Sequence, residues 1–358
     1  MRASDGGQSR LRVALVGLGW VGVHRHLRWL RNNPSVDLVG AVDRDGAKVE
    51  EVVRRARLAH GAAAITAEQV DWLDDVDAVS IATPPMTHHR VALSYLRAGK
   101  HVLLEKPLTM NPDEADGLTA EAAGRGLTLG VVHNFQFARS VRHALHLLDS
   151  GQLGELRAVW ATQLSNPSRR LPAWYEDLPL GLFYDESPHF FYLMRRILGG
   201  ELSVAGVDVV AGAGGVHTPR SVALRLVGGR VPARIEMNFE APVSEWHLAL
   251  IGSRRLAVVD VFRDVAVVVR NDGGHSAREI LQTSAEAIAS HLWGVAISGY
   301  LLASHRLAYG NDEVIRRFVR GCQSGSPPPR IAAADGAAVV RLQHQVLGQA
   351  GISDCASS

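Results

Sequence analysis

The first 150 residues alternate short apolar runs with longer amphipathic segments, and this alternation limits the fold more than any other feature of the chain. Runs rich in β-branched residues predict strands at 11–16, 36–42, 78–82, 102–104 and 127–132. Segments with helical spacing separate them, at 21–31, 46–59, 88–98 and 112–124. Such alternation predicts an α/β fold in which helices cover both faces of a parallel sheet.

From about residue 153 the pattern changes to strand-like runs with short connections. These runs lie at 159–163, 204–210, 222–227, 233–239, 246–251, 256–262 and 265–269. Apolar and polar residues alternate strictly through 233–239, which is typical of a strand with one buried face. We therefore predict an arm at 1–10, a first domain at 11–133, and an α+β domain at 134–358 with a large, mostly antiparallel open sheet. We expect the last helices to return to the first domain.

The bulk composition narrows the classes of function. The net charge of +2, without a basic tail, gives no sign of nucleic-acid binding. Residues 1–10 lack the apolar centre of a secretory signal. The two cysteines, Cys322 and Cys355, form neither a disulfide framework nor a zinc-ligand spacing. We expect a cytoplasmic protein in a reducing compartment, with no metal site.

The most apolar late stretch, 292–303, is interrupted by glycine and is too short to span a bilayer. We predict that it forms a buried helix and that the protein makes no membrane contact. A final helix is predicted from about 334 to 349, after three consecutive prolines at 327–329.

The first predicted strand leads directly into a glycine-rich turn with the sequence GLGWVG. In such a turn Gly17 permits the tight bend, Gly19 lets the backbone approach a pyrophosphate, and Gly22 lets helix and strand pack closely. The free N–H groups at the helix start favour phosphate binding. The sequence therefore predicts a dinucleotide-binding loop made of Gly17, Leu18, Gly19, Trp20, Val21 and Gly22.

The end of the second predicted strand bears on the choice of cofactor. Asp43 lies 21 residues after Gly22, where a carboxylate can accept hydrogen bonds from the adenosine ribose. A carboxylate at this place favours NAD, because it repels a 2′-phosphate. Arg44 follows immediately and offers a partner for that phosphate, so NADP remains open.

Six segments together resemble the glucose–fructose oxidoreductase, inositol dehydrogenase and MocA (Gfo/Idh/MocA) family over nearly the whole chain. They are GLGWVG at 17–22, ATPPMTHH at 82–89, GKHVLLEKPLT at 99–109, HNFQF at 133–137, SGQLGEL at 150–156 and DESPH at 185–189. The resemblance implies an N-terminal Rossmann domain and a C-terminal domain with an open antiparallel sheet. It also implies sugar, cyclitol or nucleotide-linked sugar substrates, and homodimers or homotetramers that assemble through the open sheet face.

A lysine follows the predicted strand at 102–104. Pro107 restricts the conformation of Lys106, and the carboxyl end of a strand is where ligands bind in open α/β sheets. An ammonium there can stabilise a developing alkoxide, although the residue alone also fits a surface turn. The resemblance implies that Lys106 is catalytic and contacts both substrate and cofactor. Glu105 either borders the nicotinamide or accepts hydrogen bonds from local amides.

Asp185 and His189 are four residues apart, so a helix that begins near Asp185 places both side chains on one face. Pro188 would then lie in the first turn. A histidine titrates near neutral pH and can exchange the proton of a hydroxyl group, while a carboxylate orients it. Alternatively, Asp185 or Ser187 caps the helix. The resemblance implies that Asp185 and His189 are catalytic and contact the substrate.

Secondary sites follow from the same resemblance. It implies cofactor contacts for Ala82, Thr83, Pro84 and His88, although a plain helix entry explains the same residues. Asn134 matches a position near the nicotinamide amide and the substrate, but Gln136 stands where an arginine is frequent. The loop at 165–180 offers aromatic and guanidinium groups for substrate binding: Arg169, Arg170, Trp174 and Tyr175.

These features predict an oxidoreductase that uses NAD, with NADP as the alternative, and interconverts a secondary hydroxyl and a ketone on a sugar, aminosugar or cyclitol. A nucleotide-linked sugar, with Arg169 or Arg170 on its diphosphate, is the alternative substrate. A cofactor-sensing regulator without turnover is the alternative of another class. The presence of Lys106, Asp185 and His189 together argues against that regulator.

Overall fold

A computed structural model describes residues 9–212 and 217–352. Its contacts group into two compact units, one made of 9–133 with 311–340 and the other of 134–310 with 341–352. Most of the predicted arm at 1–10 lies outside the described residues, as does Cys355.

The first unit contains the first six strands, β1–β6, and the second unit contains β7–β13. In chain order the strands are β1 Leu11–Val16, β2 Val36–Asp43, β3 His60–Ala63, β4 Ala78–Ile81, β5 His101–Leu104, β6 Leu129–Val131, β7 Leu156–Leu164, β8 Ser203–Val210, β9 Ser221–Gly228, β10 Val231–Asn238, β11 Glu245–Gly252, β12 Arg255–Asp260 and β13 Val265–Arg270. The α-helices are α1 Arg28–Arg31, α2 Gly46–Ala56, α3 His88–Arg97, α4 Pro112–Gly124, α5 Arg139–Asp149, α6 Leu182–Leu198, α7 Ala277–Ala303, α8 Asn311–Ser324 and α9 Ala333–Gln349.

The sheet of the first unit is parallel throughout, with strand order β3-β2-β1-β4-β5-β6. Its central strand β1 is apolar over four consecutive residues, 13–16, and these are almost completely buried. Continuous burial is expected of a strand covered on both faces. Two apolar clusters pack within this unit, one of which includes α3 and α4 and the other α2. The predicted α/β fold of this region is confirmed.

The second unit is built on a seven-stranded sheet with strand order β13-β12-β11-β7-β10-β9-β8. Only the β10–β7 pair is parallel, and the other neighbours are antiparallel. In β10 the side chains of Ala233, Ile235 and Met237 are buried, whereas Arg234 and Glu236 are exposed. The alternation in the sequence therefore corresponds to one covered and one open face, and the predicted mostly antiparallel sheet is confirmed.

Two helix predictions in the first unit were wrong in detail. The segment predicted as one helix at 21–31 is π-helical over Gly22–Leu27 before α1 begins. The helix predicted at 46–59 ends at Ala56, because Arg57 adopts a left-handed conformation with φ of 54°. The edge strand β3 follows and was not predicted. Its sequence, HGAA, has no β-branched residue, and backbone pairing with β2 defines it.

Two helix predictions in the second unit also need correction. The helix that carries Asp185 begins at Leu182, so Pro188 lies in its interior rather than in its first turn. The stretch at 292–303 is helical as the C-terminal part of α7, but the prediction of burial was wrong. Leu292 and Trp293 are 63% and 70% exposed.

None of the helices within residues 9–212 and 217–352 has both the length and the apolar character of a membrane span. The same residues contain no group of three metal-ligating side chains arranged around a common point.

Candidate active site

The glycine turn after β1 requires glycine at two positions for packing and leaves a third one open. A Cβ at Gly17, whose φ is 91°, would lie 2.7 Å from the backbone of Ala82. A Cβ at Gly22 would lie 2.0 Å from the carbonyl oxygen of Gly17. A Cβ at Gly19 would meet nothing within 4 Å. The backbone at Gly19 therefore faces open space, which fits the approach of a pyrophosphate.

The remaining residues of the turn divide into a buried and an exposed part. Leu18 is 4% exposed and packs in the apolar cluster with α2. Trp20 and Val21 project outward, and the Trp20 ring stacks on the imidazole of His24 with ring centroids 5.0 Å apart. The guanidinium of Arg25 lies 5.2 Å from the centroid of the Trp20 ring. Cationic and aromatic groups thus border the outer side of the loop.

The carboxylate of Asp43 is held in place by two backbone amides. Its Oδ2 accepts a hydrogen bond of 2.6 Å from the N–H of Leu18, and its Oδ1 accepts one of 3.0 Å from the N–H of Asp45. Each oxygen retains capacity for a second donor, such as a ribose hydroxyl. Arg44 is exposed beside it. The carboxylate is thus fixed against the glycine turn, where a contact with the adenosine ribose is predicted.

His88 links two loops at the carboxyl ends of β4 and β5. It is completely buried, with Nδ1 2.7 Å from the carbonyl oxygen of Pro107 and Nε2 2.9 Å from that of Thr83. Burial lowers the pKa of His88, while the two carbonyl oxygens oppose that effect. Thr83 and Pro84 are partly exposed. His88 therefore fixes the loops that carry Thr83 and Lys106, and both of its ring nitrogens are engaged in doing so.

Lys106 follows β5 next to a buried hydrogen-bonded network that sequence reasoning missed. Glu105 accepts a hydrogen bond of 3.1 Å from the N–H of Lys106 through Oε2, and its Oε1 lies 2.9 Å from Nε2 of His26. Nδ1 of His26 lies 2.7 Å from Oγ of Ser80 on β4. The Lys106–Pro107 peptide bond is cis. The carboxylate thus accepts from a local amide, which was one of the two roles considered for Glu105.

The charge of Glu105 is set by opposing effects. Burial raises the pKa of Glu105, but the hydrogen bond and charge of His26, together with the Lys106 ammonium and N–H, lower it below its usual range. Glu105 is therefore ionised at neutral pH. The only hint in the sequence was the position of His26, four residues or about one helical turn after Gly22.

In the second unit, His189 is 9% exposed and surrounded by aromatic rings. The ring centroids of Phe135 and Trp246 lie 4.6 and 5.4 Å from that of His189. Nδ1 of His189 is 2.8 Å from Oη of Tyr192, and that oxygen accepts a hydrogen bond of 3.0 Å from the N–H of Phe135. Tyr192 therefore orients the imidazole, and its position three residues after His189 on α6 was the available signal.

Asp185 lies in the first turn of α6, where a carboxylate interacts favourably with the helix dipole. The N-cap residue is Gly181, so the alternative in which Asp185 or Ser187 caps the helix does not apply. Ser187 is buried, and its Oγ accepts a hydrogen bond of 3.2 Å from Gln343. The orientation of His189 by Asp185 remains a prediction.

In the loop at 165–180, which is predicted to bind substrate, only some of the predicted side chains are exposed to solvent. Arg169 forms an ion pair with Glu186 on α6, and Gln163 donates a hydrogen bond to the same carboxylate. Arg170 is exposed, and Trp174 is partly exposed in the turn Ala173–Asp177. Of the two arginines, Arg170 is therefore the more accessible to a substrate.

Two further predicted residues are placed by local hydrogen bonds. The pKa of Tyr175 is raised to about 12, mainly by a hydrogen bond with Glu176 and to a smaller extent by burial. The hydroxyl of Tyr175 is therefore neutral at neutral pH and can donate a hydrogen bond. Asn134 is buried and donates a hydrogen bond of 3.1 Å to the carbonyl oxygen of Tyr309. Gln136, at the position where arginine was expected, is 4% exposed.

The first unit combines three features of a dinucleotide-binding oxidoreductase. Its parallel sheet has a glycine turn after the first strand, a carboxylate at the end of the second strand and a lysine after the fifth strand. Comparison with known proteins agrees. Residues 11–133 match the model of an oxidoreductase family with an NAD-binding Rossmann fold, and residues 141–258 match the GFO/IDH/MocA C-terminal domain. The chain belongs to the Gfo/Idh/MocA oxidoreductase family, as the sequence predicted.

Individual relatives act on different substrates. The chain is 32% identical to the dTDP-3,4-didehydro-2,6-dideoxy-alpha-D-glucose 3-reductase of Streptomyces antibioticus, over 62% of this chain and 69% of that protein. It is 26% identical to the inositol 2-dehydrogenase of Rhizobium meliloti, over 74% and 80%. The crystal structure of GenD2 from gentamicin A biosynthesis in complex with NAD superposes with a TM-score of 0.75 at 22% identity, over 96% and 95%.

The first four curated relatives are matched over 44%, 69%, 65% and 80% of their lengths. The structural likeness is below 25% identity and shows the fold alone.

Proposed function

We propose that the chain catalyses the NAD-dependent interconversion of a secondary hydroxyl and a ketone on a sugar, aminosugar or cyclitol. The observation that carries this proposal is the orientation of His189. Its imidazole is nearly buried, and its Nδ1 is held by the hydroxyl of Tyr192. An imidazole held in this way is suited to exchange a proton with a substrate hydroxyl, because its ordinary pKa lies near working pH.

NAD, when bound, supplies the hydride acceptor or donor at its nicotinamide ring. In the oxidation direction His189 removes the proton of the substrate hydroxyl, and in the reduction direction it returns that proton. The Lys106 ammonium stabilises the negative charge that develops on the substrate oxygen. Asp185 orients the imidazole of His189. Each of these three roles is an assignment to be tested by substitution.

The residues of the first unit fit NAD. The backbone of Gly17–Gly22 would hold the pyrophosphate, and the loop of Ala82, Thr83 and Pro84 would border the adenosine. We assign the ribose hydroxyls to Asp43, whose fixed carboxylate repels a 2′-phosphate. Replacing Asp43 with serine, while Arg44 is kept, should raise kcat/KM for NADP relative to NAD by at least tenfold. An unchanged ratio would remove Asp43 from cofactor selection.

The decisive experiment measures absorbance at 340 nm with NAD or NADP and a panel of sugars, aminosugars and cyclitols. Lys106→Met and His189→Ala should each lower kcat at least about a hundredfold. Fluorescence titration should show that both variants still bind the cofactor. Lys48→Met is the matched control, since this exposed lysine pairs with the nearby Asp45 at 3.6 Å. Full activity in either site variant would remove that residue from the mechanism.

A nucleotide-linked sugar is the second candidate substrate. The similarity to a dTDP-sugar reductase favours it, but the ion pair with Glu186 leaves Arg169 poorly suited to bind a diphosphate. We therefore assign that role to Arg170. Arg170→Ala should raise KM for a dTDP- or UDP-sugar severalfold and leave KM for a free sugar unchanged. Cofactor binding without turnover on any substrate would instead favour a cofactor-sensing regulator.

Two further assignments accompany this function. We propose a cytoplasmic location, on the cysteine content described above. We also propose a homodimer or homotetramer that assembles through the open face of the seven-stranded sheet, where Trp160 is 53% exposed. The boundary between the cofactor-binding and substrate-binding regions is proposed to follow residue 133.

A further inference from the structure

Helix α7 in the second unit is packed on one side only. Gly294 lies against β13, and a Cβ at this position would be 2.6 Å from Cγ1 of Val265. Ser298 donates a hydrogen bond of 3.0 Å to the carbonyl oxygen of Asp264 and accepts one of 2.8 Å from Arg139. These contacts fix which side of the helix faces the sheet, and therefore which side remains outside.

The outer side of α7 carries a stripe of apolar and small residues at alternating intervals of four and three. The stripe consists of Leu281, Ala285, Ile288, Leu292, Val295, Gly299 and Leu302, and all seven are exposed. Leu281 is 72% exposed and Leu302 is 64% exposed. Intervals of four and three give a seven-residue repeat, which is the pattern of a helix that packs along a second helix. We call this set of seven residues the α7 stripe.

The surroundings of the α7 stripe are also apolar. Trp293 and Tyr300 lie beside it and are 70% and 64% exposed. From 287 to 303 the sequence contains no Asp, Glu, Lys or Arg. Contiguous apolar surface of this size is uncommon on a monomeric soluble protein and marks an interaction site.

Within its own unit, as described over residues 134–212, 217–310 and 341–352, no side chain covers the α7 stripe. The segments outside that description are 1–8, 213–216 and 353–358, with the sequences MRASDGGQ, AGGV and SDCASS. None of these three sequences contains a run of large apolar residues, so a separate molecule is the better candidate for the cover.

We propose that the α7 stripe binds the α7 stripe of a second copy of this chain as an antiparallel helix pair about a twofold axis. A twofold interface requires a surface that is complementary to itself. With the axis midway between Ile288 and Leu292, each of these residues faces the other across the pair. Large residues then face small ones farther out, because Leu281 lies opposite Gly299 and Val295 opposite Ala285.

The size of the surface fits a stable dimer. The five large residues of the stripe are between 42% and 72% exposed. Together they offer on the order of 600 Å² of apolar surface per copy, or about 1,200 Å² for the pair, which is the lower end of the range for stable interfaces. Gly299 and Ala285 allow the two helices to approach closely. This interface is separate from the open sheet face and does not depend on the proposed redox activity.

A membrane surface is the less suitable occupant. Helices that lie on anionic bilayers carry several Lys or Arg residues beside their apolar face. Between Glu279 and His305, α7 and its end carry none. The charge pattern therefore favours a protein surface of the same apolar kind, which a second copy provides.

The test is the mass of the full-length protein in solution, measured by analytical ultracentrifugation. Protein concentrations of about 1–100 µM bracket the micromolar dissociation constants that are common for such dimers. Leu292→Glu should halve the mass of the assembly, because two carboxylates would be buried near the axis. Gln282→Glu is the matched control, since it places the same charge on the exposed side of α7 away from the stripe. Thermal melting and NAD binding of each variant establish that it is folded.

A cross-link provides the second measurement. The double variant Ile288→Cys/Leu292→Cys, made with Cys322→Ser and Cys355→Ser, should form a covalent dimer on mild oxidation, whereas Gln282→Cys in the same background should not.

Three outcomes would overturn the proposal. The first is a monomeric mass for the unmodified protein over the whole concentration range. The second is an assembly that Trp160→Glu halves and Leu292→Glu leaves intact, which would assign assembly to the open sheet face alone. The third is a monomer that cosediments with phosphatidylglycerol vesicles and loses that binding in Leu292→Glu.

Discussion

The two units hold their proposed catalytic side chains by different means. In the first unit, Lys106 follows the carboxylate of Glu105, which is hydrogen-bonded to His26 and whose side chain is 14% exposed. In the second unit, His189 lies among aromatic rings and is oriented by the hydroxyl of Tyr192. The surroundings of Lys106 therefore depend on a largely buried charge, and those of His189 on packing and a single hydroxyl group. The difference implies that the contacts beside Lys106 are costlier to break and more sensitive to acid.

The largest effect is expected when the buried pair in the first unit is broken. His26→Leu leaves the ionised Glu105 buried without its partner, and this should lower the free energy of unfolding by about 3–5 kcal/mol. Urea unfolding measures the change. His89→Leu is the matched control, because His89 faces Glu114 at 3.5 Å with both side chains 36% exposed. A surface pair of this kind contributes about 0–1 kcal/mol. Equal costs for the two variants would contradict the role assigned to burial.

A smaller effect is expected in the second unit. Tyr192→Phe keeps the ring but leaves the N–H of Phe135 and Nδ1 of His189 without the hydroxyl, at a cost of about 1–3 kcal/mol in stability. kcat should fall about tenfold, which corresponds to roughly 1.4 kcal/mol, and the pH optimum should shift because the imidazole loses its orienting group. A change in stability with an unaltered pH profile would reduce Tyr192 to a packing role.

Acid should weaken the first unit in two stages. The pKa values of His88 and Glu105 are held below their ordinary values of 6.5 and 4.5. A lowered pKa contributes stability that is present above the ordinary value and is lost as the pH falls. The contribution of His88 should therefore decline below pH 6.5, and that of Glu105 below pH 4.5.

Urea midpoints between pH 7 and pH 3 would measure this loss, with Glu105→Gln as the reference variant. The advantage of the unmodified protein over Glu105→Gln should shrink as the pH falls. An advantage that grows on acidification would contradict the lowered pKa of Glu105.

The smallest effect concerns Ser80, whose hydroxyl lies at the end of the hydrogen-bonded chain from Glu105 through His26. Ser80→Ala removes the hydroxyl near Nδ1 of His26 but leaves the contact between His26 and Glu105 intact. Because a single neutral hydrogen bond is lost, the cost should be about 0.5–1.5 kcal/mol, and kcat should change less than in Tyr192→Phe. A loss as large as that of His26→Leu would show that Ser80, rather than Glu105, holds the histidine.

The sequence predicted the features that follow from local pattern and from family likeness. The glycine turn, the alternation of strands and helices, and the one-sided strand β10 are all visible in neighbouring residues. The contact between His26 and Glu105 joins residues 79 positions apart, and no local pattern reveals it. Tyr192 was missed for another reason, since an aromatic residue in a buried helix is usually part of the core.

Helix α7 shows where hydropathy misleads. The apolar character of 292–303 predicts a buried helix, because helices that are apolar all round are usually buried. Hydropathy reports the composition of a helix, whereas burial depends on the elements that cover it. In the described part of the chain only Gly294 and Ser298 of this helix are buried. Pro188 was misplaced for a similar reason, since the true start of α6 at Leu182 carries no capping side chain.

The arginine that begins α5 has a consequence for motion. Arg139 donates to Ser298 on α7 and to the backbone of Asp264, while the Asp264 carboxylate accepts a hydrogen bond of 2.7 Å from the N–H of Ser140. Opening the middle of α7 therefore removes one partner from the first turn of α5, which lies one residue after the Phe135–Phe137 turn beside His189. Amide hydrogens in these segments should exchange as one cooperative unit, with protection that rises and falls together.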